Sequence, residues 1–287
     1  MTNLLQRGLA SLKRYTAVLE TPPSVVDAQE NLHEGNLQGN ITVRDLTFTY
    51  PDGDRPALAD IAFTLPSGKT LGILGHTGSG KTTLVNLLLK MYNPPRGTVF
   101  YDGTDLHDTA LDTLRGGIGY VPQDNFLFSA TVAENIRFYA PDATMDDVIA
   151  AAKQADIYDS IMEFPAGFDT EVGERGVTLS GGQKQRISIA RALIKKPKVL
   201  ILDDSLSAVD ARTEQNIWQE MHKVFATGTS GIIIAHRVSA LMHCDEILVL
   251  DGGRIAERGT HEELMALGGH YASTARKQES GEVVDDE

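Results

Sequence analysis

The sequence predicts an α/β fold with a mainly parallel sheet, an antiparallel β subdomain ahead of it and an α-helical insertion at about residues 124–195. Three observations carry that expectation. Apolar and polar residues alternate through Ile41, Val43, Leu46, Phe48 and Tyr50 and again through residues 57–65, the period-two signature of paired strands. Short apolar runs at 198–203 and 231–235 flank a helical pattern at 208–225, which implies parallel strands joined by a crossover helix. Between an apolar run at 70–74 and a helical stretch at 83–89 lies Gly75-His76-Thr77-Gly78-Ser79-Gly80-Lys81-Thr82, which fits G-x-x-x-x-G-K-[ST] at every fixed position. The core is therefore expected to be that of a P-loop NTPase.

Taken in order, Leu5, Leu9, Leu12, Tyr15 and Leu19 form one apolar stripe along a helix over residues 4–20. Arg7, Lys13 and Arg14 interrupt it and it is too short to cross a bilayer, so it reads as an attachment helix within residues 1–23. Pro22-Pro23 stops it, and the polar, glycine-bearing residues 24–40 read as an exposed linker. The paired strands beginning at Ile41 turn at Pro51-Asp52-Gly53-Asp54, and residues 97–101 and 118–121 supply further strands. Helical patterns at 131–136, 145–152, 154–162 and 181–194 build the insertion, with a loop-like stretch at 164–176. Strands at 246–250 and 254–258 follow, and Thr260 with Glu263 three residues later is a capping box opening a last helix. Residues 271–287 are read as an acidic tail, expected to be disordered from Glu279 onward because five acids occur there without a base.

Composition narrows the class. With 26 Lys and Arg against 39 Asp and Glu the net charge is −13, which disfavours a general affinity for nucleic acid or anionic lipid surfaces. The single cysteine, Cys244, excludes an internal disulfide and suits a reducing compartment. No apolar run approaches the roughly 18 residues of a spanning helix, so the chain itself is expected to be soluble.

The P-loop carries the first chemistry. Gly75, Gly78 and Gly80 let backbone N–H groups turn toward an anion, the helix N-terminus adds partial positive charge, and Lys81 reaches the outer phosphates. Thr82 would place its hydroxyl on magnesium, and His76, Thr77, Ser79 and Thr83 complete the nucleotide-binding stretch. The apolar run Val199-Leu200-Ile201-Leu202 ends in Asp203, a carboxylate delivered by a buried strand to the same metal, although an acid there could also cap the next helix. Leu179-Ser180-Gly181-Gly182-Gln183 opens another helix with a serine and two glycines, a second anion-binding N-terminus.

Together these residues resemble the nucleotide-binding domain of an ATP-binding cassette (ABC) transporter over residues 41–270, with ATP and Mg²⁺ as the implied cofactors. Residues 179–183 match that family's signature letter for letter. The resemblance implies the ABC ATPase fold and assigns further roles. Tyr50 would stack on adenine, although its strand pattern fits a core residue equally well. Gln123 would touch magnesium and signal to the membrane domain through its coupling helices. In Ser205-Leu206-Ser207-Ala208-Val209-Asp210 it finds the loop that crosses between two nucleotide domains, although Asp210 could equally be a helix-turn acid. His236 would contact the terminal phosphate, and Glu174-Arg175-Gly176 resembles a loop of exporters rather than importers. In this family two nucleotide domains pair head to tail, so Ser180, Gly181, Gly182 and Gln183 would serve the partner's ATP. Residues 1–23 resemble the end of a last membrane helix, which implies a half-transporter at the cytoplasmic face of a membrane.

One position departs from the pattern. Active members carry glutamate after the magnesium aspartate, as base or water-positioning group, and here it is Asp204. The lost methylene draws the carboxylate back by roughly 1.5 Å, so slow hydrolysis at this chain's own P-loop is expected, as in the degenerate half of a heterodimeric exporter. A homodimer in which aspartate suffices remains the alternative partner arrangement. The alternative function is a soluble ABC ATPase of repair, translation or cluster assembly, which calls for a second cassette or a more basic surface.

Overall fold

A computed structural model of the chain describes residues 2–27, 32–173 and 178–280. Helix α1 (Thr2–Glu20) leads into an antiparallel sheet of β1 (Ile41–Phe48), β2 (Leu58–Leu65) and, after β3 (Thr70–Leu74) and α2 (Lys81–Leu88), β4 (Val99–Tyr101) and β5 (Thr104–Asp105), in the order β2-β1-β4-β5. Helix α3 (Leu111–Gly117) and strand β6 (Ile118–Val121) return the chain to the main sheet. The insertion holds β7 (Ala130–Thr131), α4 (Val132–Arg137), α5 (Met145–Gln154), α6 (Tyr158–Met162), β8 (Glu171–Val172) and α7 (Gly181–Leu193). Then come β9 (Val199–Asp203), α8 (Ala211–Ala226), β10 (Ser230–Ile234), β11 (Glu246–Asp251), β12 (Arg254–Gly259), α9 (His261–Leu267) and α10 (His270–Ser280).

The main sheet runs β12-β11-β3-β10-β9-β6, parallel except for the edge strand β12. Every residue of β3, β9 and β10 is buried, as strands covered on both faces must be. Alternate side chains of β9 enter different cores: Val199 and Ile201 pack with α2 and the antiparallel sheet, whereas Leu200 and Leu202 pack with α7 and α8. This arrangement sets the carboxyl ends of β3, β6, β9 and β10 side by side, where open α/β sheets bind ligands.

Two expectations need correction. The helix expected over 154–162 is broken after Gln154, because Asp156 sits at φ +53°, left-handed backbone that no right-handed helix contains. The described residues of 24–40 are mostly exposed, and a few contacts tie the segment to the body of the domain: Leu37 is buried, Gln38 N and Asn40 N donate to the Asp102 carboxylate at 2.7 and 2.9 Å, and Leu111 N donates to Asp27. Its polar groups find protein partners, which composition does not reveal. Residues read as the start of an acidic tail form α10 instead, which buries Tyr271, Ala272 and Ala275; with Arg276 and Lys277 against Glu279 this stretch is not acidic, and the acids cluster only beyond it. Residues 281–287 and the exporter-type loop at 174–176 lie outside the described residues.

Candidate active site

Strand β3 ends against the glycine loop because side chains are excluded there. A Cβ on Gly75 would fall 2.4 Å from Ser79 Oγ and 2.7 Å from the Leu250 carbonyl. Gly80 closes the loop at φ +105°, and α2 begins at Lys81. Lys81 is buried to 8% exposure, and its Nζ donates to the Gly75 and His76 carbonyls at 2.6 and 2.9 Å. The ammonium is thereby held at the mouth of the loop. His76 reaches the Asp251 carboxylate at 2.9 Å and the Thr77 carbonyl at 2.7 Å, and these bonds hold its pKa above the ordinary imidazole value.

Beside this loop is a cavity of about 250 Å³ lined by Thr77, Gly78, Gly80, Lys81, Thr82, Thr83, Ala57, Gln123, Asp203 and His236. Residues far apart in sequence thus meet on one volume: the loop and helix after β3, the residues just after β6 and β10, the last residue of β9, and Ala57 just before β2 of the antiparallel sheet. Thr82 is exposed toward solvent, and Asp203 is 6% exposed. Burial raises the Asp203 pKa, opposed by a hydrogen bond from Tyr120 Oη, 3.3 Å from Oδ2. Tyr120, on β6 beside β9, is a site residue that motif reading missed; only the strand register brings it to Asp203.

Thr82, Gln123 and Asp203 are all oxygen donors, which fits a hard divalent cation. Among the described residues no group of three or more His, Cys, Asp and Glu side chains is arranged to hold a metal. Magnesium would accordingly be held by this small set together with nucleotide phosphates, its usual mode in such sites. Tyr50 borders Thr83, donating from its hydroxyl to Thr83 Oγ1 at 3.0 Å, and meets Tyr92 edge-on at 5.0 Å between ring centroids.

The signature residues do not line this cavity. Ser180 caps α7 in a reciprocal box with Gln183: Gln183 N donates to Ser180 Oγ at 3.2 Å and Ser180 N to Gln183 Oε1 at 3.0 Å. Gly181 and Gly182 press against Ala208, where a Cβ on Gly182 would lie 3.0 Å from the Ala208 carbonyl. Gln185, given no role by the sequence, receives a bond from Ala208 N at 3.1 Å and lies 3.3 Å from Ser207 Oγ, tying α7 to the 205–210 loop. Asp210 caps α8, accepting from Arg212 N, Thr213 N and Thr213 Oγ1. The helix-turn role that the sequence left open for it is the one its contacts show.

Asp204 follows β9 in the left-handed region at φ +45°. Its N–H donates to the Ile234 carbonyl at 2.8 Å, and its own carbonyl accepts from Ser207 Oγ at 2.9 Å, so its backbone is held by β10 and by the following loop.

The sequence model of a family described as "ABC transporter" matches residues 58–207, just over half of the chain and the span that holds the P-loop, the signature and Asp203. The chain belongs to the ABC transporter family. Among curated ABC relatives, the probable multidrug resistance ABC transporter ATP-binding/permease protein YheI of Bacillus subtilis is 48% identical over 281 residues, covering 97% of this chain and 47% of that protein. The multidrug resistance-like ATP-binding protein MdlA of Escherichia coli is 44% identical over 286 residues, 100% of this chain and 48% of its own length. The ATP-dependent lipid A-core flippase of Methylobacillus flagellatus is 42% identical, covering 96% of this chain and 47% of the flippase. A solved bacterial Atm1-family ABC exporter with ATP bound matches with a TM-score of 0.88 at 39% identity, over 95% of this chain and 47% of that one. The chain thus spans about half the length of its ABC relatives and carries the family's ATP-binding ATPase domain.

Proposed function

We propose that this chain is the ATP-driven motor of an ABC exporter, working in a head-to-tail pair of nucleotide domains beneath a membrane domain. The observation that carries this reading is the convergence of Lys81, Thr82, Gln123, Asp203 and His236 on one cavity from which residues 180–183 are absent. The chain offers half of one site and, on another face, a capped helix N-terminus able to complete a second. In the pair, Lys81 and the loop N–H groups hold the phosphates of ATP. Magnesium, when bound, neutralises phosphate charge at Thr82, Asp203 and Gln123. Asp204 stands at the position of the base that would take up the proton of the attacking water, and His236 faces the terminal phosphate. Tyr50 lies against the adenine of this chain's own ATP, while Ser180, Gly181, Gly182 and Gln183 serve the partner's nucleotide.

Asp204 sets the rate at this chain's own loop. A base acts within about 2.6 to 3.2 Å of its water, and a carboxylate set back by roughly 1.5 Å misses that range. Loss of a general-base contribution of about 100- to 10,000-fold raises the barrier by roughly 2.7 to 5.5 kcal/mol. The partner is therefore best served by a competent cassette of different sequence, whose ATP this chain's signature completes.

A membrane-domain partner is supported by the surface next to Gln123. Phe126, Phe128, Phe138 and Tyr139 are exposed at 67, 38, 48 and 52%, and Phe128 stacks on Phe138 at 4.3 Å. Tyr139 also lines a groove of about 470 Å³ that mixes apolar Leu89, Met91 and Ile118 with charged Asp112, Arg115 and Lys195. Coupling helices seated there would sit one loop from the metal-side residues, placing the complex at the cytoplasmic face of a membrane. The relatives do not favour the soluble repair, translation or cluster-assembly alternative.

Calorimetric titration of the purified chain with Mg-ATP checks the division into own and partner sites. Lys81→Ala is expected to abolish binding, whereas Ser180→Arg leaves the affinity of the monomer unchanged. Equal loss in both variants would contradict the shared-site reading.

A further inference from the structure

The loop that carries His236 is gripped by the C-terminal helix. Gln278, near the end of α10, brackets this loop with both ends of its amide: Nε2 donates to the His236 carbonyl at 2.7 Å, and Val238 N donates to Oε1 at 2.8 Å. A side chain that satisfies an acceptor and a donor two residues apart fixes a short piece of backbone much as a neighbouring strand would. The loop's other tethers come from elsewhere. Ala235 N donates to the Ile73 carbonyl at 3.2 Å, and the Arg237 guanidinium pairs with buried Glu214 of α8 and reaches the Leu206 carbonyl at 3.2 Å.

The helix that supplies Gln278 is itself anchored. Tyr271 and Ala272 are fully buried, and the Glu257 carboxylate of β12 accepts from His270 N and, at 3.1 Å, from Tyr271 N. A continuous line of bonded groups therefore runs from β12 through α10 to the carbonyl of His236.

We infer that Gln278 is a positioning residue for His236: by pinning the backbone on either side of Arg237 it holds the imidazole toward the terminal phosphate, and α10 is thereby part of the apparatus that distinguishes ATP from ADP. This rests on the reading of His236 as the terminal-phosphate contact. Nothing in the sequence points to Gln278, which lies 42 residues beyond His236 in a stretch read as tail.

A double-mutant cycle on the full chain tests the assignment, reading ATP and ADP affinities by calorimetry together with melting temperature. Gln278→Ala is expected to lower the ATP-over-ADP affinity ratio by about three- to tenfold, the effect of losing one or two hydrogen bonds, with ADP affinity unchanged. In the His236→Ala background the same change should alter the ratio less than about twofold, because the residue it positions is gone. Gln278→Glu, which keeps the acceptor for Val238 N and loses the donor to His236, should retain the fold and reproduce the loss. Equal weakening of ATP and ADP binding, full additivity with His236→Ala, or an unchanged ratio in both Gln278 variants while His236→Ala lowers it would overturn the inference. An unchanged ratio in His236→Ala itself would instead remove the terminal-phosphate reading on which the inference stands.

Discussion

Asp204 combines a short carboxylate with a left-handed backbone, and what the backbone favours is opposed to the reach a base needs. At φ +45° the chain favours residues whose short polar side chain tolerates that region, and aspartate is one of the few besides glycine. Glutamate there should cost somewhat more backbone strain while bringing a carboxylate closer to the attacking water. Asp204→Glu is therefore expected to lower stability by less than about 1 kcal/mol, measured by denaturant unfolding, while hydrolysis at this loop rises. The His76–Asp251 pair gives a second residue-level expectation. Hydrogen bonding to Asp251 raises the His76 pKa, so the stabilisation is fully present below the ordinary value of about 6.5 and fades as pH rises through the elevated folded-state value. Both groups are about half exposed, so the effect is small. Comparing melting of the wild type with Asp251→Asn between about pH 5 and pH 9 should show a gap at the acid end that closes at the alkaline end. A gap independent of pH would contradict the pairing.

At the scale of elements, the N-terminus of α7 and the 205–210 loop behave as one unit. Gln185 joins them by hydrogen bonds, and a side chain on Gly182 would crowd the Ala208 carbonyl at 3.0 Å. Gly182→Ala should displace that loop, lowering stability by about 1 kcal/mol and weakening ATP-dependent pairing, with the monomer's own Mg-ATP affinity unchanged. Sedimentation with and without Mg-ATP, beside calorimetry, reads both. Much at this scale was legible in the sequence. The apolar runs of β3, β9 and β10 and the box of Thr260 with Glu263 act locally, and local patterns reveal them. The same holds for the P-loop, whose chemistry is contained in eight consecutive residues. Tyr120, Gln185 and Gln278 were not legible, because each acts on a residue brought near only by strand register or helix docking. The break at Asp156 and the strap formed by Asp102 belong to the same class: a positive φ and a carboxylate accepting two N–H groups have no periodic signature.

On the proposed reading the whole molecule passes a change at the phosphates outward. Gln123 lines the nucleotide cavity and stands three residues before Phe126, so one loop joins the metal-side oxygens to the exposed aromatic surface. At the other end, residues 6–20 of α1 present Leu9, Leu12, Tyr15, Val18 and Leu19 to solvent, and no helix among the described residues is long and apolar enough to cross a membrane. Removing residues 1–20 should change the unfolding free energy of the remainder by no more than about 0.5 kcal/mol, since the side chains of residues 6–20 are exposed apart from half-buried Thr16. Ending the chain before His270 should lower it by several times as much, because buried Tyr271 goes with it. Thermal and denaturant melts of the two truncations make the comparison. Slow cleavage at this chain's own P-loop, as proposed, depends on Asp204. The most direct measurement is single-turnover hydrolysis at this P-loop, in the assembled pair with the partner's own P-loop lysine replaced, for the wild type and Asp204→Glu. A carboxylate set back from its water predicts equal Mg-ATP affinity and cleavage faster in the glutamate variant by at least about tenfold; equal rates in the two would contradict it.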